Sequence, residues 1–278
     1  MKFPIKLNKT FWPKIICQVL PSIFDPRLIC SSSLDSRKFS KAVSAFKFGT
    51  TFKSTKYNRY PLMLNKISKL KLPNNITILD VGASDGNASL RSIKELNFQK
   101  YYITDLNINT WYSQNGNNCY FYNDDKKCIL IANKYFIIYP QEFSSKIFKK
   151  VLWKIFPFLL NRLCEKKRIK LINPLLKDNK KIKIIKYDIF QKWDYEKIDL
   201  VIAANILNES YFSINDLNLA IKNLIKCLSQ NGILVVIDNR KIEKGSIFQV
   251  IDDKLKFIDR INGGTEIEKN IFIFLEQK

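Results

Sequence analysis

The residues whose spacing says most about chemistry lie in one short run, Asp80-Val-Gly82-Ala-Ser84-Asp-Gly86, at the end of the apolar stretch Ile76–Val81. A strand that breaks into glycines and restarts as a helix turns backbone N–H groups and a helix N-terminus toward a ligand. Glycine suits such a turn because a Cβ would block close approach or forbid a positive φ. The chain has only eight glycines, so two in one loop is not a matter of abundance. Three further polar sites follow the same plan. Asp105 closes the run Tyr101–Asp105, 19 positions after Gly86. An acid at the tip of a second strand accepts both hydroxyls of a ribose in dinucleotide folds. Asp188 follows Lys181–Tyr187, and Asn205 with Glu209 follow Ile198–Ala204. Acids and amides therefore stand at the ends of successive apolar runs.

These side chains need a frame. The apolar runs ending at Val81, Asp105, Tyr187 and Ala204 are rich in β-branched residues and predict buried strands. Helices are expected over Tyr60–Leu72, closed by Pro73, and over Ala88–Leu96. Ser213–Leu228 is amphipathic, with Ser213 and Asp216 as a capping box and Asn231-Gly232 as its stop. Ile233–Asp238 reads as a fifth strand. Leu255–Ile261 and Asn270–Leu275 read as two more, joined across Gly263-Gly264 without room for a helix, hence antiparallel. Strands alternating with helices predict an α/β fold. The expected architecture is an open, mostly parallel seven-stranded sheet with helices on both faces and a terminal antiparallel strand pair.

Two segments stand outside that frame. Residues 1–60 form a basic, aromatic-rich N-terminal extension, and 61–278 form the α/β domain, interrupted by an insertion at about 107–180. In the insertion, Cys119–Tyr122, Lys127–Ala132 and Tyr135–Tyr139 predict a small antiparallel meander, and Ser145–Leu160 a basic amphipathic helix suited to a lid or a membrane surface. Phe46, Phe48 and Phe52, interleaved with lysines, suit docking of the extension onto its own protein better than stacking on bases.

The formal net charge is +22, and it is localised. Residues 1–74 carry +13 and residues 146–186 carry +12, leaving −3 for the remainder. Such segments suit an anionic membrane surface or RNA; a lysine-rich solvated surface is the plainer reading. Histidine is absent, which excludes Ser-His-Asp, Cys-His and His-ligated metal sites contributed by this chain. The six cysteines are scattered without a C-x-x-C pair, so no metal site is expected and a reducing, cytoplasmic compartment is, with peripheral membrane contact as an option. Pro13 and Lys14 interrupt the leading apolar residues, so no secretory signal is expected, and no window suits a spanning helix.

Over about residues 70–106 and 181–278 the chain resembles the class I S-adenosylmethionine-dependent methyltransferases. The family's acid-x-Gly-x-x-x-Gly motif stands here as Asp80 to Gly86. Its ribose acid falls on Asp105, its adenine-facing acid on Asp188, and its methionine- and substrate-facing position on Ala204, Asn205 and Ile206. Its leucine-x-x-Gly-Gly before strand five becomes Leu228-Ser-Gln-Asn231-Gly232, with Asn for the first Gly. The resemblance implies S-adenosyl-L-methionine as cofactor, held by Asp80, Gly82, Ser84, Gly86, Asp105, Asp188, Ile189 and Asn205. A nicotinamide fingerprint fits less well, because Asp80 occupies its first glycine position.

Methyl transfer from a sulfonium needs alignment and dryness more than proton chemistry, so the lack of histidine is no obstacle. Where an acceptor must lose a proton, Glu209 is the candidate base, with Asn205 or Asn208 positioning it; a solvated loop acid is the alternative for Glu209. No Asn/Asp-Pro-Pro-Tyr/Phe signature follows strand four, which argues against the commonest exocyclic-amine nucleic-acid methylation. The expected acceptor is an unidentified small or lipid-linked molecule held under the insertion. A non-catalytic module binding RNA or an anionic membrane through its basic segments is the alternative, and aminopropyl transfer is a third.

Overall fold

Apolar runs buried on both faces form the central strands of the computed structural model, which describes residues 4–31, 35–70, 72–143, 165–252 and 254–276. The chain divides into two compact units, Met1–Thr55 with Asn107–Leu175, and Lys56–Leu106 with Leu176–Lys278.

The second unit is built on β1 (Ile76–Val81), β2 (Phe98–Asp105), β3 (Ile182–Lys186), β4 (Ile198–Ala204), β5 (Leu228–Asp238), β6 (Lys244–Ile251) and β7 (Lys254–Ile261). Its helices are α1 (Pro61–Ile67), α2 (Ser89–Glu95), α3 (Ile214–Cys227) and α4 (Glu268–Glu276). The strands form one seven-stranded sheet in the order β3-β2-β1-β4-β5-β6-β7. β1 to β5 run parallel, whereas β6 is antiparallel to both β5 and β7. The order 3-2-1-4-5 reverses direction of growth between β1 and β4, which makes their carboxyl ends a topological switch point.

Side chains alternate across this sheet. Leu79 and Val81 of β1, Val201 and Ala203 of β4, and Leu234 and Val236 of β5 pack with Leu217, Ala220, Ile221 and Leu224 of α3. Ile267 and Ile271, at helical spacing, join the same cluster from the α4 end. Asp80 lies between Leu79 and Val81 and therefore faces the opposite side, where Ser89 of α2 hydrogen-bonds to it. The capping box at Ser213 and Asp216 is present at the start of α3.

The carboxyl-terminal part differs from expectation in three ways. The antiparallel pair is β6 with β7, and Lys244–Ile251, read in sequence as a link, is a full strand hydrogen-bonded along β5. Asn270–Leu275, expected as a strand, lies within α4. The i, i+4 burial of Ile267 and Ile271 and the buried Glu268 carboxylate, which accepts from Ser246 Oγ at 2.6 Å and pairs with Arg260 at 3.0 Å, hold that segment helical. Finally, α3 stops at Cys227, and Asn231-Gly232 lies inside β5 instead of closing the helix. Asn231 still takes a left-handed φ of 64°. A Cβ on Gly232 would sit 2.8 Å from the Ser229 carbonyl and 2.9 Å from that of Ile198, so close backbone approach explains this glycine.

The first unit joins the extension to the insertion. Beside a short antiparallel pair, Lys47–Phe48 with Thr51–Phe52, it holds a seven-stranded sheet in the order Lys167–Lys170, Asn109–Asn115, Asn118–Tyr122, Cys128–Ala132, Phe136–Ile138, Ile5–Asn8, Ser22–Ile23. All neighbours are antiparallel except the last pair. Read separately in the sequence, the two segments share one sheet because Ile5–Leu7 pairs with Phe136–Ile138. Phe39, Ala42 and Val43 of the helix Ser36–Val43, with Phe46, pack against Phe121, Leu130, Ile137 and Tyr139. The Phe46 and Phe121 rings meet edge-on at 5.0 Å. The amphipathic helix expected over 145–160 falls within 144–164, which lie outside the described residues. No described helix is long and apolar enough to cross a membrane.

Candidate nucleoside-binding site

The glycine loop after β1 takes a strained path. Gly82, Ser84 and Gly86 have φ of 65°, 61° and 78°. Left-handed backbone is free for glycine but costs a serine on the order of 1 kcal/mol. A Cβ on Gly82 would lie 2.5 Å from Ile206 Cδ1, and one on Gly86 would lie 2.4 Å from Leu176 Cδ1. Both glycines are thus favoured by conformation, while a Cβ would press on the movable ends of Ile206 and Leu176. Asp85, in the same loop, is fully buried and accepts the Asn87 N–H at 2.9 Å.

Asp105 is drawn to this loop. Its Oδ2 accepts the Ser84 N–H at 3.0 Å, so the tip of β2 fixes the loop that leaves β1. The Asp105 side chain is only half-buried. Asp188, also half-buried, follows β3 and accepts the Phe190 N–H at 3.0 Å in a tight turn. Its neighbour Ile189 is buried in the core cluster. Asn205 follows β4 with φ 59°. Its N–H donates to the Ile237 carbonyl at 2.7 Å, and its Oδ1 accepts the Asn239 N–H at 2.7 Å. The loop residues Asp80 to Gly86, Asp105, Asp188 and Asn205 thus stand at the carboxyl ends of four adjacent strands, in the order β3-β2-β1-β4.

Two polar atoms there have no hydrogen-bond partner although they are buried: Ser84 Oγ and Asn205 Nδ2. Buried polar groups are almost always satisfied, and exceptions mark strain, unseen solvent or a ligand. One orphan follows β1 and the other β4, so they flank the switch point. Both belong to residues in left-handed backbone, which collects at functional sites. An acceptor-or-donor hydroxyl, an amide donor, two half-exposed carboxylates and a glycine turn fit the ribose, adenine and amino-acid parts of a nucleoside cofactor.

Asp80 lies deeper, 2% exposed. Its Oδ2 accepts Ser89 Oγ at 2.6 Å and Tyr101 OH at 3.0 Å. Burial pushes its carboxyl up to about 6, against the lowering effect of those two hydrogen bonds. The same burial, with Asp80 beside it, raises the Tyr101 phenol well above its usual range. Because the folded value of Asp80 lies above the ordinary 3.8, this group favours the fold fully below about pH 4, and that contribution is lost as pH rises through about 6. An asparagine in its place keeps an acceptor and does not titrate, so Asp80→Asn is expected to gain stability relative to wild type, by ~3 kcal/mol, between pH 4 and pH 7. Urea unfolding of both proteins across that range measures the difference; a constant difference would mean that Asp80 titrates normally.

Glu209 is exposed, its carboxylate 3.7 Å from Lys269 Nζ, and its N–H donates to Glu266 Oε1 at 3.1 Å. Asn208 is buried, and its Oδ1 accepts from the Ser210 N–H at 3.0 Å and from the Ser210 hydroxyl. Sequence reasoning missed Ser89 and Tyr101, the partners of Asp80; the alternation that puts Tyr101 and Asp80 on one face of neighbouring strands was the available signal. It also missed Arg59, half-buried, whose carbonyl accepts from Asn239 Nδ2. Burial holds the Arg59 guanidinium below its usual value, while Tyr211, Tyr60 and Asp238 act in the opposite sense. A cation thus stands close to the end of β5, and no sequence pattern announces it. Among the described residues no cluster of potential metal ligands occurs.

No family model and no curated protein matches the sequence. Solved structures do match. The N-methyltransferase NodS from Bradyrhizobium japonicum is 14% identical, with TM-score 0.33, over 63% of this chain and 64% of that one. A TehB-like SAM-dependent methyltransferase from Corynebacterium glutamicum is 13% identical, with TM-score 0.32, over 66% and 63%. Phosphoethanolamine N-methyltransferase 1 from Haemonchus contortus, in complex with phosphoethanolamine and S-adenosylhomocysteine, is 12% identical, with TM-score 0.34, over 73% and 29%. The chain spans less than two thirds of the length of each. At these values the likeness concerns the fold alone. The strand order and the glycine loop of this chain define a doubly wound, Rossmann-like domain.

Proposed function

We propose that the second unit binds S-adenosyl-L-methionine across the β1/β4 switch point and transfers its methyl group to a small or lipid-linked acceptor. The observation that carries this reading is the pair of orphaned buried groups, Ser84 Oγ and Asn205 Nδ2, one on each side of that switch point. Asp105 would accept the ribose hydroxyls while it holds the Ser84 N–H. Asp188 would accept from the adenine amino group, with Ile189 beside it. Gly82, Gly86 and Asp80 would shape and support the cradle, and Asn205 would meet the amino-acid end. Arg59 adds a cation suited to a carboxylate. The cofactor, once bound, supplies both the methyl group and its leaving group. The chain's task is then alignment and exclusion of water, so Asn205 and Asn208 have positioning roles. Glu209 is offered as base only for an acceptor that must lose a proton, and its pairing with Lys269 would have to open for that.

Calorimetric titration of the purified chain with S-adenosylmethionine tests the reading. Saturable one-site binding with a Kd in the micromolar range, about −8 kcal/mol, is expected. Incubation with labelled cofactor and fractionated extract then identifies the acceptor by the fraction that takes label. No heat and no displacement at millimolar cofactor would end the proposal.

A further inference from the structure

The first unit carries an apolar patch that the rest of the fold does not use. The short helix Lys14–Val19 buries none of its residues. Ile15 is 76% exposed and Val19 79% exposed, and Leu20 follows them into solvent. A helix that buries nothing adds nothing to a core, so its β-branched face calls for another partner. Phe11 and Trp12, which directly precede this helix in the chain, are joined to a second exposed segment by specific contacts. The Asn8 N–H donates to the Tyr135 carbonyl at 3.0 Å, and Trp12 Nε1 donates to the same oxygen at 2.9 Å. Phe11 meets the Tyr135 ring edge-on at 4.7 Å. Phe11, Tyr135 and Phe136 are all exposed.

The two segments themselves carry charge of one sign, and the nearby Asp25 is buried and paired with Arg27. Lys9, Lys14 and Lys134 are exposed, and Lys134 Nζ stands 4.9 Å from the Phe11 ring centroid. No Asp or Glu occurs in residues 4–24 or 126–141. Exposed aliphatic side chains, aromatic rings and lysines on these segments match the layers of a bilayer surface: acyl chains, the headgroup boundary and anionic phosphates. A second copy of the chain is a poor partner, since it would bring three more lysines against these three. RNA would satisfy the lysines but leave Ile15, Val19 and Leu20 in water, and bases stack on ring faces, not on aliphatic side chains. We propose that this face, formed by Phe11, Ile15, Val19, Leu20, Tyr135 and Phe136 with Lys9, Lys14 and Lys134, docks the protein on the surface of an anionic lipid bilayer. The docking does not depend on methyl transfer.

Co-sedimentation of the full chain with vesicles of phosphatidylcholine, with and without phosphatidylserine, tests it. The wild-type protein is expected to bind the phosphatidylserine vesicles and to leave them as salt rises. The combined Ile15→Ser, Val19→Ser, Leu20→Ser variant should bind at least about tenfold more weakly. The combined Lys9→Gln, Lys14→Gln, Lys134→Gln variant should lose about a hundredfold. All six substituted side chains are exposed, so both variants should melt with the wild type. A second readout leaves the patch intact: brominated lipid should quench a fluorescence component that Trp12→Phe removes. Failure of the wild type to bind vesicles, whether or not it binds RNA, wild-type binding by the serine variant, or absence of Trp12 quenching would each overturn the proposal.

Discussion

Asp105→Ala is expected to weaken S-adenosylmethionine binding by at least about a hundredfold while leaving the protein folded. Two effects of one carboxylate add in this number. As a ribose acceptor, Asp105 would make charge-assisted hydrogen bonds, each worth about 1.5–3 kcal/mol. As the acceptor of the Ser84 N–H at 3.0 Å, it also holds the glycine loop in its left-handed path. Alanine removes both; asparagine keeps an oxygen for Ser84 but loses the charge, so Asp105→Asn should fall between alanine and wild type.

Ser84→Ala separates the two contributions. It deletes the orphaned hydroxyl but leaves the N–H that Asp105 holds. The expected loss is about tenfold or less in affinity, the scale of one neutral hydrogen bond, with little change in melting temperature. Calorimetry on the three variants, with thermal melts as the folding control, reads all of this. An Asp105→Ala protein that binds within about threefold of wild type would remove the ribose assignment, because no arrangement of two charge-assisted bonds is worth so little.

How much of this was legible in the sequence follows from physical period. β1, β2 and β4 are apolar runs bounded by turn residues, and α3 has both a clear apolar stripe and a capping box, so local and tertiary signals agree there. The glycine loop was legible because Gly82 and Gly86 take left-handed backbone, which favours glycine. Three features were not. Ile271-Phe-Ile-Phe-Leu275 is apolar throughout, and an unbroken run of that length has no period to distinguish strand from helix; the buried Glu268 and its partners decide it in three dimensions. Ile5–Asn8 is four residues long, and its place in a sheet depends on Phe136–Ile138, more than a hundred positions away. The orphaned Asn205 Nδ2 is a property of burial and of missing partners, which no residue type reveals.

The largest stability effect is expected in the first unit, at Lys47 and Glu142. Their side chains are 5% and 7% exposed and form an ion pair. Breaking a buried pair by removing one partner costs about 3–5 kcal/mol, because the other charge is left without compensation. Glu142→Gln should reach that range, since the site holds a surplus of cations. Lys6 lies near: burial lowers its ammonium, Glu142 raises it and Lys47 lowers it further. Its Nζ stands 4.4 Å from the Phe52 ring centroid and 5.3 Å from that of Tyr139, both part of the unit's apolar cluster. Without Glu142, two ammonium groups face one another among aromatic rings. Lys47→Met leaves Glu142 with Lys6 still near, so it should cost less than Glu142→Gln. The double variant Lys47→Met, Glu142→Leu removes both charges and should recover most of the loss, as apolar replacement of buried pairs often does. Hydrogen exchange in Asn118–Tyr122 and Cys128–Ala132 reports on this unit's core, and urea midpoints give the energies. A Glu142→Gln cost under about 1 kcal/mol would be the value of a surface pair and would contradict the burial seen here. A double variant less stable than Glu142→Gln would show that the pair contributes net attraction beyond mutual neutralisation.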